Sequence, residues 1–149
     1  MDSPDTRSRL AALLAEQSTL TLATLDPTSQ PMAASLFFAA DPQLNLIWTS
    51  SVNSRHSRNL AREPRAAVTV HAVTWSWRDI AGAQLEGEAH EVSPGADWQA
   101  ALELYLGKFP FAKDFQAELA RSSFYRFAPR WARLIDNGQG FGHKEEISL

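Results

Sequence analysis

The segment TSSVNSRHSRNLAREPR, residues Thr49–Arg65, joins the end of an apolar run to a stretch rich in β-branched residues. It begins with small polar residues and then carries four of the fourteen basic residues in a chain of net charge −3. Ser54 is a typical helix N-cap, and Pro64 stands where a helix must have ended. The segment therefore predicts a strand end followed by a short helix over about Arg55–Arg62.

The start of this predicted helix has the chemistry of an anion site. A helix N-terminus offers unpaired N–H groups and a partial positive charge. Hydroxyls from Thr49 and Ser50 and basic groups from Arg55 and His56 would suit a phosphate best. A simpler interpretation stays open at this point, in which the arginines form a solvated face and Ser54 is only a cap.

The flanking patterns predict a mainly antiparallel domain. Alternation and turn residues place strands at about 19–25, 32–39, 44–49, 66–73, 81–92, 124–127 and 132–136. Helices are expected from residues 2–4 to 17, over 55–62, from Ser93 as N-cap to about 109, and over about 113–121. Six or seven strands in hairpin-like succession with helices between them favour one α+β domain built on an antiparallel barrel.

Composition excludes several classes of protein. The 149 residues fit one domain, and no apolar run approaches the ~18–20 residues of a membrane-spanning helix. The acidic N-terminus does not resemble a signal peptide, and the absence of cysteine is typical of a cytoplasmic protein. The slightly acidic balance argues against nucleic-acid binding, and the four histidines lack metal-ligand spacing. We therefore expect a cytoplasmic protein with no membrane, nucleic-acid or metal partner.

Two further motifs allow two interpretations each. TWSWRD, residues 74–79, places Trp75 and Trp77 on one side of an extended segment. Packing in the core or between two subunits is favoured over a hydrophobic wall beside a substrate. DNGQGFG, residues 136–142, is either a flexible end or a segment that closes a pocket.

The order of these elements resembles a known family. The run from Thr21 to Val70, with its SRHSRNLAREPR segment, and the later strand GAQLEGEAHEV resemble the FMN-binding split barrel of the pyridoxamine 5′-phosphate oxidase-like superfamily. The resemblance covers about Thr19–Asp136. The tail DNGQGFGHK resembles that of a small YhbP-like bacterial subfamily. The fold implied is a six- to seven-stranded split β-barrel with short helices packed around it.

The resemblance also implies a homodimer that binds two FMN molecules at its interface. Three residues of the second strand are expected beside the isoalloxazine ring: Ser35, Leu36 and Phe37. Another three are expected along the ring and the ribityl chain: Trp48, Thr49 and Ser50. Arg55 and His56 would hold the phosphate, and Gln84 would meet the flavin of the other subunit. Such a protein would pass electrons between a small donor and a small acceptor.

Departures from the family pattern narrow this expectation. His56 stands where the oxidases carry a lysine, so part of the phosphate charge would depend on pH. The C-terminal Arg- and His-containing motif that binds pyridoxamine phosphate has no counterpart in GFGHKEEISL, so oxidation of that substrate is not expected. The alternatives left open are a deazaflavin in place of FMN, and a haem-binding or flavin-storage module without turnover.

Overall fold

An antiparallel sheet of eight strands runs through residues 4–149, the part of the chain that the computed structural model describes. In chain order the strands are β1 (Thr19–Leu25), β2 (Pro31–Phe37), β3 (Ala39–Ala40), β4 (Leu46–Ser50), β5 (Arg65–His71), β6 (Ala81–Glu91), β7 (Ser123–Asp136) and β8 (Lys144–Ser148). Their spatial order is β2-β1-β5-β6-β7-β4-β3, with β8 paired to the second half of β7. The predicted α+β split barrel is confirmed, with a two-residue β3 and the C-terminal β8 in addition to the expected strands.

The helices lie outside this sheet. They are α1 (Pro4–Glu16), α2 (Arg55–Arg62), α3 (Ala96–Lys108) and α4 (Gln116–Ala120), with 3-10 turns at Trp77–Asp79, Pro110–Phe115 and Asn137–Gln139.

Helix α2 has the predicted bounds and the predicted Ser54 cap. The predicted cap at Ser93 is wrong, because Gly95 adopts a positive φ of 98° and α3 begins only after it. The predicted opening of α1 at residues 2 and 3 lies outside the described residues. No helix in this part of the chain is long and apolar enough to cross a membrane.

Strand β7 replaces the two late strands that the sequence predicts. It pairs with β6 from Tyr125 to Asp136, and the register shifts between Glu86 and Gly87. Glu86 is opposite Trp131 and Gly87 is opposite Pro129, so one residue of β7 is left out of the ladder as a bulge. Proline ordinarily interrupts a strand, but the bulge and the glycine opposite it let β7 continue.

The core has two parts, one on each side of β4. The larger lies between the inner face of the sheet and α1 and includes Leu10, Leu14, Leu22, Trp48 and Phe127. The smaller lies under α3 and α4 and includes Ile47, Tyr105, Phe109, Leu119 and Phe124. Strand β4 is therefore buried on both faces, which fixes the position of its polar end at Thr49 and Ser50.

Lys108, the last residue of α3, joins that helix to α1. Its Nζ donates to the carbonyl oxygens of Leu14 (3.0 Å) and Gln17 (2.6 Å) and lies 4.1 Å from the centre of the Phe38 ring. These contacts satisfy carbonyls at the C-terminus of α1. Burial lowers the pKa of Lys108 from 10.5 to about 8, while the carbonyls and the ring favour its charged form.

Stability is expected to rise between pH 8 and pH 9.5 because of Lys108. In that range the unfolded chain keeps the Lys108 proton and the folded chain loses it, so raising the pH favours the folded state. The half-exposed position limits the gain to the order of 1 kcal/mol. Above about pH 10 the buried Tyr105 and Tyr125, whose pKa values burial raises, reverse the trend. Urea unfolding at pH 7.5, 8.5 and 9.5 measures the slope, and Lys108→Met should abolish it; an equal slope in both proteins would contradict this assignment.

Candidate functional site

Four residues separate the end of β4 from the start of α2, and buried polar contacts hold the helix in place. The Ser54 side chain accepts from the Ser57 backbone N–H at 3.3 Å. One turn later, Asn59 Nδ2 donates to Thr24 Oγ1 at 3.0 Å, and both residues are buried. A buried amide bonded to a buried hydroxyl fixes the rotation of α2 against β1. The start of the helix is therefore a rigid feature beside the polar end of β4.

His56 joins the strand end to the helix start. Its Nε2 lies 2.8 Å from Ser50 Oγ and 3.2 Å from Ser54 Oγ. Ser54 Oγ is also 2.6 Å from Ser57 Oγ, and Ser57 is hydrogen-bonded to the buried Tyr125. Burial lowers the pKa of His56 below 6.5, so the imidazole is neutral at pH 7. Ser50, Ser54 and His56 thus form a corner between the end of β4 and the start of α2. This corner offers hydroxyl and imidazole donors that carry little charge of their own.

Arg55 points away from this corner. Its Nη2 lies 3.5 Å from Asp26 Oδ2, and its side chain is 58% exposed. Asp26 closes the β1–β2 turn by accepting from Thr28 and Gln30; these bonds, led by the Thr28 hydroxyl, lower its pKa, with a smaller effect from Arg55. Neighbours in sequence lie about 100° apart around a helix, so Arg55 and His56 flank the helix start instead of meeting at one point.

The predicted second-strand residues alternate across β2. Ser35 and Phe37 are exposed, while Leu36 packs against the main core. The Phe37 ring lies 5.3 Å from Phe109 and 6.0 Å from Phe111, centre to centre. A ligand on one face of β2 can therefore contact Ser35 and Phe37 together, or Leu36, but not all three side chains equally.

Trp48 is fully buried and the two residues after it are not. Its ring stacks on Tyr125, with centroids 6.2 Å apart and planes 12° apart. Its Nε1 has no hydrogen-bond partner among residues 4–149. Thr49 and Ser50 are half-buried, and Thr49 Oγ1 donates to the carbonyl of Ser123 at 3.2 Å. Within one chain, the accessible polar groups of this strand end are Thr49 and Ser50.

Gln84 lies on the exposed outer face of the sheet. The strand register forms a row across this face that runs Ser35, Thr21, Thr69, Gln84, Arg133. Three strand spacings separate Ser35 from Gln84, which is roughly 14 Å. One chain therefore cannot bring Ser35 and Gln84 to the same part of a ligand, whereas two copies could.

Sequence patterns did not show that the two ambiguous motifs pack together. Trp77 and Phe141 meet edge to face at 5.6 Å, and Asn137 donates to the carbonyl of Trp77 at 2.7 Å. The core packing expected of Trp75 is wrong, since its side chain is fully exposed, and packing between subunits stays a prediction. Arg9 of α1 pairs with Asp136 and Glu145, which stand on either side of residues 137–144. The DNGQGFG segment is therefore tied to the domain and is not simply a flexible end.

Comparison with known proteins identifies the family. The family model described as pyridoxamine 5′-phosphate oxidase matches residues 6–136. The chain belongs to this family. The match confirms the resemblance that residues Thr19–Asp136 indicate. In this pyridoxamine 5′-phosphate oxidase family member, the Ser50–His56 corner and the adjoining Arg55 lie inside the matched region.

Relatives and solved structures agree with this assignment. A UPF0306 protein of Yersinia pestis is 28% identical over 144 residues, which cover 97% of this chain and 94% of the relative. A haem-binding protein from Mycobacterium smegmatis is similar in structure, with a TM-score of 0.82 and 22% identity over 99% of this chain and 60% of that one. HutZ, the haem storage protein of Vibrio cholerae, has a TM-score of 0.71 and 19% identity over 82% of this chain and 88% of its own. At these identities the two structures establish a common fold.

Proposed function

We propose that the protein is a cytoplasmic homodimer that binds FMN noncovalently and passes electrons between a small donor and a small acceptor. The observation that carries the proposal is the rigid corner at the start of α2, in a chain of the pyridoxamine 5′-phosphate oxidase family. Unpaired helix N–H groups, Ser50, His56 and the adjoining Arg55 suit the phosphate of FMN. Bound FMN would supply the electron-transfer chemistry, so no side chain need act as a nucleophile.

The residues beside the corner suit the rest of the cofactor. Half-buried hydroxyls at Thr49 and Ser50 match the polar ribityl chain. Ser35 and Phe37 offer an exposed polar group and an exposed ring for the flat isoalloxazine, and Leu36 supports them from the core side. Trp48 is too deeply buried to contact the cofactor in the fold described, so we assign it to the core that holds this strand end.

The outer sheet face supports the proposed homodimer. Beside the row that holds Gln84 runs a second row with small side chains, Ala33, Ala23 and Ala67, followed by Glu86. Small side chains let another backbone surface approach closely. Because Gln84 cannot reach the flavin site of its own chain, its proposed role requires the flavin of the partner subunit.

Ala67→Arg is expected to convert the dimer to monomers. The exposed position and the facing Glu86 should let the folded chain accommodate the arginine, whereas a close sheet-to-sheet contact would not. Sedimentation velocity measures the mass, and Gln99→Arg on the exposed side of α3 adds the same charge elsewhere as a control. A wild-type protein that is already monomeric, or an Ala67→Arg protein that stays dimeric, would contradict the proposed interface.

The first test of the proposal is the visible spectrum of the purified protein, before and after FMN is added and the excess removed. Retained flavin absorbance is expected, together with a rise in melting temperature. At an FMN concentration 100 times Kd, binding adds about 2.7 kcal/mol to stability. If the protein retains no flavin absorbance and gains no stability from FMN, the FMN proposal is refuted. Haem is then the next ligand to test by its Soret band, since two proteins of similar fold are named for haem binding or storage.

FMN binding is expected to tighten as the pH falls from 8 to 6.5. The imidazole of His56 is neutral in the free protein, and a bound phosphate favours its protonated form, so binding takes up a proton. Below about pH 6 the phosphate itself gains a proton, which limits the useful range. Fluorescence titration at several pH values tests this. His56→Gln, or riboflavin in place of FMN, should give a flat profile, and a flat wild-type profile would remove His56 from the phosphate site.

A further inference from the structure

A cationic cleft, which does not include His56, lies along another face of α2. A cleft of about 320 Å³ separates this helix from the β1–β2 turn. Its lining residues are Asp26, Pro27, Arg55, Arg58, Asn59 and Arg62. Arg55, Arg58 and Arg62 follow one another at spacings of three and four residues, which places them along one face of the helix.

The charges in this cleft are unbalanced. Three guanidinium groups line it against one carboxylate, that of Asp26, which lies 3.5 Å from Arg55. The Arg62 guanidinium donates to the carbonyl of Leu25, a neutral acceptor. The Arg58 guanidinium forms no hydrogen bond or ion pair with any of residues 4–149. Like charges one turn apart on a helix repel each other, so an anion between them would stabilise the arrangement.

The cleft is also rigid. Asn59 is bonded to the buried Thr24, which fixes the arginine face of α2 against β1. The opposite wall is the turn that Asp26 closes through its bonds to Thr28 and Gln30. Because both walls are held in place, an anion would not have to order a loose surface before binding.

We propose that this cleft binds an anionic group that follows the first phosphate in the cofactor, as in a flavin nucleotide with a diphosphate. Arg55, at the first position of α2, belongs both to the proposed phosphate site and to the cleft, so the two are continuous. Arg58 and Arg62 extend the positive charge about one and two turns further along the helix. The inference rests on the proposed flavin function and deepens it, because it distinguishes a dinucleotide or other extended flavin from FMN.

The experiment compares FMN, FAD and inorganic tripolyphosphate on the wild-type protein, Arg58→Gln and Arg65→Gln. Arg65 is a matched control, since it is exposed, pairs with Glu63 and lies outside the cleft. We expect FAD to bind at least tenfold more tightly than FMN. Arg58→Gln should lower FAD affinity at least fivefold and FMN affinity less than twofold, whereas Arg65→Gln should change neither. Asp26→Asn, which removes the only carboxylate among the lining residues, should tighten FAD binding.

The outcomes separate this inference from the function on which it rests. Equal losses for FMN and FAD in Arg58→Gln, or equal effects of the Arg58 and Arg65 variants, would overturn the second site while leaving flavin binding intact. If no flavin binds but tripolyphosphate raises the melting temperature of the wild type and not of Arg58→Gln, the anionic cleft is supported and the flavin function is refuted. Tripolyphosphate protection that is equal in all three proteins would overturn the cleft.

Discussion

Gly87→Ala is expected to lower the free energy of unfolding by about 3 kcal/mol or more, the upper end of the range for overpacked sites. A Cβ at this position would lie 2.1 Å from the carbonyl oxygen of Ala128 and 2.8 Å from Pro129 Cα. Both obstacles are backbone atoms of the adjacent strand β7, so no side-chain rotation can relieve them. The bulge that carries β7 past Pro129 would have to shift, and β7 supports β4, β6 and β8.

Gly107→Ala is the matched control for Gly87→Ala. A Cβ there meets no atom within 4 Å, and the residue lies within α3, where alanine is favoured over glycine by about 0.5–1 kcal/mol. Urea unfolding of both variants is expected to give opposite signs. Should Gly87→Ala fail to yield folded protein while Gly107→Ala does, the prediction also holds. Equal stability of the two variants would mean that β6 and β7 do not approach closely at the bulge.

Local signals in the sequence predicted α2 and its surroundings correctly because they depend on few neighbours. Ser54 caps the helix by accepting from the backbone N–H of Ser57, three residues later, and Pro64 prevents the helix from continuing. The bounds Arg55–Arg62 therefore follow from adjacent residues alone. The antiparallel class was also accessible, since the alternation of β1 and β6 and the turn residues between strands are local features.

Contacts between distant segments account for what the sequence did not predict. Strand β8 reads KEEIS, with three charged residues and one buried side chain, Ile147, so its pattern gives no strand signal. It forms because the second half of β7 offers unpaired backbone groups along its edge.

The burial of Trp48 is a similar case. The family pattern places it beside a cofactor, yet Ile47 and Trp48 occupy the two separate cores on either side of β4. A continuous apolar run such as Leu46–Trp48 indicates a strand covered on both faces, but it does not say which elements cover it. Likewise, the adjacent Arg55 and His56 suggest that both side chains meet at one point, but the rotation of α2, fixed by the distant Thr24, places His56 beside Ser50 and Arg55 beside Asp26, on either flank of the helix start.

Arg55→Ala is expected to weaken FMN binding by about 10- to 100-fold. A hydrogen bond to a charged group contributes about 1.5–3 kcal/mol, and each 1.4 kcal/mol corresponds to a factor of ten in Kd. Since His56 is neutral at pH 7, Arg55 is the main positive charge at the proposed phosphate site. The folded protein should lose little stability, because the exposed contact with Asp26 at 3.5 Å is worth at most a fraction of that energy.

Two controls make the effect specific to the phosphate. Arg65→Ala removes an equally basic and exposed side chain whose partner is Glu63, and its FMN affinity should match that of the wild type. Riboflavin has the same ring and ribityl chain without the phosphate, so its affinity should be the same for wild type and Arg55→Ala. Fluorescence titration at pH 8 and low salt, where electrostatic contributions are largest, measures all six combinations. If Arg55→Ala weakens riboflavin as much as FMN, Arg55 acts on the shape of the site and not on the phosphate. If neither ligand is affected, the phosphate lies on the His56 side of the helix, held by hydroxyls and the helix N-terminus alone.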